Sequence, residues 1–90
     1  MSRTADAQIE RVERLARETG VDEDIVFNAY FSCMACDESI EDFDKHVRRC
    51  VELASQTKYT ADYLVQTYAE NMVDGNDFEH FEEVTKEEDW

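Results

Sequence analysis

The sequence predicts an all-α protein, a small bundle of two helix-turn-helix hairpins. Three observations point there. The 90 residues include no proline and only two glycines, Gly20 and Gly75, punctuation that suits long helices joined by short turns. Apolar residues recur at helical spacing along most of the chain. The chain also aligns with itself at a shift of 38 residues: Asp6–Met34 against Asp44–Met72 gives 8 identities in 29 positions, among them Leu15/Leu53, Ala16/Ala54, Asp24/Asp62 and Tyr30/Tyr68. The repeat halves run from about 4 to 36 and from 42 to 74, inside a single domain spanning 1–75, followed by an acidic tail at 76–90.

Each element has a local reason. Ile9, Val12 and Ala16, with Leu15 beside them, form the stripe of the first helix, and Gly20 supplies its left-handed stop. Asp22 is a natural N-cap for the second helix, predicted near 23–36. That helix is apolar nearly all round, from Ile25, Val26 and Phe27 to Phe31 and Met34, so it is expected to be central or covered by a partner, a second copy included. Ser39 followed by Asp42 resembles a capping box opening the third helix, with a stripe of Ile40, Phe43, Val47, Val51 and Ala54. Thr60 caps the fourth, whose inward face is Leu64, Val65, Tyr68, Ala69 and Met72. The tail carries seven acids against one lysine and reads as frayed or as a short extra helix, with Phe78, Phe81 and Trp90 as anchors.

All three cysteines and one of two histidines fall in one window, Cys33-x2-Cys36-x9-His46-x3-Cys50. Cys33 and Cys36 are one turn apart on the second helix, and His46 and Cys50 one turn apart on the third, so each pair projects from one helix face. That spacing predicts a structural zinc site with Cys33, Cys36, His46 and Cys50 as tetrahedral ligands, clamping the two hairpins together. Residues 31–50 resemble, at motif level, a C2HC zinc finger, in which a CxxC pair precedes a helix bearing H-x3-C. The resemblance implies zinc ligation by these four residues, and some such fingers bind ubiquitin. The bland reading of the same thiols is small buried core residues.

Charge is the other large signal. The net is −14, and residues 1–20 balance four arginines against four acids, so the whole excess lies in 21–90. So negative a surface repels phosphate, so direct nucleic-acid binding is not expected, while a basic protein surface would be attracted. Adaptation to salt is the bland alternative. Leu15-Ala16-x3-Gly20-Val21-x4-Val26 resembles the core of a DNA-binding helix-turn-helix, but Asp22, Glu23 and Asp24 would meet the phosphates with carboxylates. No phosphate loop, nucleophile motif or HExxH is present, so no enzyme is expected. No apolar run approaches the roughly 18–20 residues of a membrane span. The polar start and odd cysteine count fit the cytoplasm.

The function these features predict is a non-enzymatic acidic interaction protein that occupies a basic, nucleic-acid-binding surface of a partner. In character it is similar to DNA-mimicking inhibitors, phage anti-defence proteins being one class. The expected contact residues are Asp22, Glu23, Asp24, Asp37, Glu38, Glu41 and Asp42, with the tail acids. The alternative is a zinc-finger adaptor or small regulator, reading a helical or ubiquitin-like partner through Phe27, Phe31 and their neighbours.

Overall fold

The computed structural model describes residues 3–88, with side chains from Asp6 onward. Five helices follow one another: α1 Arg3–Thr19, α2 Glu23–Ala35, α3 Ile40–Gln56, α4 Ala61–Val73 and α5 Phe78–Glu88, with no strand among the described residues. The all-α expectation is met. Its caps are the expected ones. Asp22 accepts from the Asp24 amide at 2.9 Å, Ser39 from Asp42 at 3.1 Å and Thr60 from Tyr63 at 3.1 Å, each meeting a helix-start N–H that lacks an intrahelical partner. Gly20 ends α1 at φ 77°, with its amide bonded to the Ala16 carbonyl at 2.9 Å.

The helices form two layers. α1 and α3 lie side by side, tied by Arg11 to Asp44 (3.6 Å) and Arg48 to Glu18 (2.6 Å). α2 and α4 make the second layer and share the most extensive helix–helix contact. They run parallel: the Asp22 amide meets Asp62 Oδ1 at 3.4 Å at one end, and Cys36 Sγ meets the Met72 carbonyl at 3.4 Å at the other. α1 and α3 have 17 residues each, and α2 and α4 have 13 each. The left-handed residues that stop α2 and α4, Asp37 and Gly75, stand at the same 38-residue spacing.

Between the layers lies one apolar core, in which Val12, Leu15, Val26, Phe43, Leu53, Leu64, Tyr68 and Phe81 are at most 1 % exposed. Three sequence expectations shift here. Ile9 is 40 % exposed, because α1 meets its neighbours through Val12, Leu15 and Ala16. The buried line of α3 is Phe43, Val47, Cys50 and Leu53, with Val51 and Ala54 only partly covered. Leu53, absent from the expected stripe, is better buried than Val51. The segment 78–88 is a helix whose Phe81 and Thr85 are buried, so the division at 75/76 marks a change of composition and not the edge of the core. Trp90 lies outside the described residues. α2 is neither wholly buried nor wholly free: Val26, Ala29, Tyr30 and Cys33 face the core, while Phe31 is 61 % exposed.

Candidate functional site

Two of the four expected zinc ligands, Cys33 and His46, meet at Glu38, a residue expected on the surface. Asp37 adopts φ 62°, and the turn it makes lets the Glu38 amide bond the Cys33 carbonyl at 3.1 Å. This turns the Glu38 side chain inward, where it is only 5 % exposed. Glu38 Oε1 accepts from Tyr68 O–H at 2.5 Å and contacts His46 Nδ1 at 2.6 Å. His46 in turn lies flat on Phe78, with ring centroids 4.3 Å apart and planes 8° from parallel. Glu38 Oε2 is buried with no hydrogen-bond partner among the described residues. Glu38 therefore leaves the set of partner-facing acids, because its carboxylate is spent on the inside of the fold.

One thiol, Cys33, lies against this carboxylate. Cys33 interacts with Tyr68, Glu38 and Cys36, and Cys50 with Cys33. Burial pushes the Cys33 thiol up to about 12, and burial, aided by Cys33 and Glu82, raises Cys50 as well. Both are therefore neutral near pH 7. Burial and the bond to Glu38 also raise the Tyr68 phenol. Cys36 is half-buried and caps α2, so the CxxC pair sits on a helix end and not on the turn-rich knuckle of a ββα finger. Among the described residues, no three His, Cys, Asp or Glu side chains are grouped so as to hold a metal ion. What the window builds is a hydrogen-bonded cluster at the seam of α2, α3 and α4. Sequence reasoning missed Glu38 and Tyr68 as members; the two aligned tyrosines, Tyr30 and Tyr68, were the available signal.

Charge is sorted between the layers. α2 and α4 contain no lysine or arginine, and the cations lie on α1, α3, α5 and the turn at Lys58. On that side several are paired within the molecule. Arg48 bonds Glu18 and Asp44, Arg49 bonds Glu52 and Glu82, and Lys86 bonds Glu82 at 3.1 Å. Among the described residues, the acids of the second layer have no such partners. Asp22, Glu23 and Asp24 are exposed at the start of α2, with Asp62 of α4 against them, and Asp37, Glu70 and Asp74 are exposed near the far end. Glu41 and Asp42, also exposed, begin α3 beyond this face, and Glu41 reaches Arg11 at 3.7 Å.

Between α2 and α4 runs an open cleft of about 620 Å³. Ile25, Ala29, Ala69 and Val73 give it an apolar surface, Asn28, Ser32 and Gln66 add neutral polar groups, and Glu70 and Asp74 put two carboxylates on its wall. No helix among the described residues is long and apolar enough to cross a membrane. Compared with protein-family models, with curated proteins and with solved structures, the chain matches none.

Proposed function

We propose that this protein is a non-enzymatic interaction module whose α2–α4 layer engages a basic protein surface, of the kind that otherwise binds nucleic acid. The observation that carries the reading is the sorting of charge: a layer with no cations, and an opposite layer that holds the cations, with Arg11, Arg48 and Arg49 in internal ion pairs. Carboxylates on rigid parallel helices attract a cationic surface before contact and hold a fixed spacing after it. α2 is about 20 Å long at a rise of about 1.5 Å per residue, so its two acidic ends address a surface of that span.

A lysine-rich DNA-binding protein preloaded on duplex DNA serves as probe. Addition of the acidic protein displaces the DNA, and raising salt from about 50 mM to about 500 mM, which shortens the screening length severalfold, weakens displacement steeply. Reversing two charges, D22K with D24K, weakens it further at low salt. Displacement that is indifferent to both salt and charge reversal would sink the reading.

A second reading keeps the zinc staple and the adaptor role, with Phe27 and the exposed Phe31 as the contact. The observation that favours it is that Cys33 interacts with both Cys36 and Cys50 and lies, like His46, against Glu38. Zinc held by Cys33, Cys36, His46 and Cys50 would require the raised thiols to release their protons, and the +2 of the metal would be outweighed by three thiolates. Zinc content near one per chain, together with a melting temperature that falls on chelation, is the expected outcome on this reading. Metal-free protein with an unchanged melt retires it.

A further inference from the structure

We infer that the α2–α4 cleft is a seat for a basic amphipathic helix of the partner, a deeper form of the acidic-surface reading on which it rests. Three features of the cleft converge on that occupant. First, its floor is apolar and low. Ala29 and Ala69, 2 % and 7 % exposed, bring the two helices close, and Ile25 and Val73 stand at either side. Val73 is 62 % exposed, an apolar side chain that the fold leaves in water. Second, among the described residues its only charged lining groups are the carboxylates of Glu70 and Asp74, with no cation on either helix to neutralise them. Third, both ends of the cleft carry further acids: Asp22, Glu23, Asp24 and Asp62 at one, Asp37 at the other.

A ligand matched to this cleft has an apolar ridge for the floor and positive charge on its flanks. A helix with leucine-like residues at i, i+4 and i+7 and lysine or arginine between them has that form. The parallel helices are 13 residues long, so a partner helix of about 14 residues spans the cleft at the same rise per residue. A second copy of this chain fits poorly, since two surfaces from chains of net charge −14 would be opposed.

The test uses the whole chain and two synthetic peptides of about 14 residues, built from leucine and lysine in equal composition. One has its leucines at helical spacing; the other is scrambled. Backbone amide shifts and a titration are recorded for each. The amphipathic peptide is expected to bind about tenfold tighter than the scrambled one, and its shifts to gather on Asn28, Ser32, Gln66 and Val73. The V73N variant and the E70Q/D74N pair, all at exposed positions, each weaken it severalfold while the melting curve stays in place. D22K/D24K weakens both peptides alike. If the two peptides bind equally, with shifts at Asp22–Asp24 and strong salt dependence, the cleft inference fails while the acidic-surface reading stands. If neither peptide binds and DNA is not displaced from the basic probe, both fail. Concentration-dependent shifts at Val73 without any peptide would give the cleft to a second copy and overturn the inference.

Discussion

At the scale of single residues, Glu38 is held inside the fold by two neighbours, Tyr68 and His46. A carboxylate taken out of water is costly unless its lone pairs are satisfied, and Glu38 meets both its partners through one oxygen. Tyr68 donates to Oε1, His46 contacts the same atom, and Oε2 has neither. Tyr68 is itself fully buried and touches Phe43, Phe78 and Phe81 through its ring. Y68F keeps that ring and removes one donor from the carboxylate, so it is expected to destabilise the fold by about 1–3 kcal/mol, the cost of leaving a buried charged group short of a hydrogen bond. Urea denaturation of the two proteins measures this. A midpoint within error of the parent would mean that Glu38 does not depend on Tyr68.

At the scale of the elements, α5 is the instructive case. It docks by Phe81, whose full burial contributes about 1.5–3 kcal/mol relative to exposure, and by Glu82 on α3. Arg49 Nε bonds Glu82 Oε1 at 2.8 Å, and Lys86 bonds Glu82 Oε2 at 3.1 Å. Arg49 first, then Lys86, holds the Glu82 carboxyl down at about 2, below its ordinary 4.5. A carboxyl whose folded pKa is depressed contributes stability that is present above its unfolded value and is lost as pH falls through its folded value. The contribution of Glu82 is therefore complete above about pH 4.5 and fades toward pH 2. In E82Q the melting temperature should lie below the parent's near pH 6, and the gap should close across that window. A gap that stays constant down to pH 2 would show that Glu82 contributes shape and not charge.

At the scale of the whole molecule, the net −14 is less informative than its placement. Paired acids such as Glu18, Asp44 and Glu82 give little to a partner, because their cations already screen them. The acids of α2 and α4 are the available ones. That sharpens the binding test: D22K/D24K alters an open cluster, whereas charge reversal at Glu18, which faces Arg48 across α1 and α3, should leave DNA displacement nearly unchanged. Equal effects from both sites would mean that only total charge matters and that the layer has no special role. Phe27 and Phe31, 6.2 Å apart on the outer side of α2, remain an apolar patch that the acidic-surface reading does not use.

Much of the architecture was legible in the chain because helices declare themselves locally. Caps at Asp22, Ser39 and Thr60, the stop at Gly20 and the inward face of α4 all depend on residues within a turn or two of one another. Charge excess and the cysteine–histidine window were equally plain. The tertiary structure decided three things the sequence left open. It rotated α3 so that Cys50 and Leu53 lie inside the core and Val51 only packs against its edge. It folded 78–88 onto α3 and α4. It turned Glu38 inward to meet Tyr68, 30 residues away. Each depends on which helix lies against which, and burial of a given side chain is fixed by its neighbours across the core and not by its own periodicity. The same packing laid the cation-free helices α2 and α4 side by side in parallel, which the sequence could list but not place.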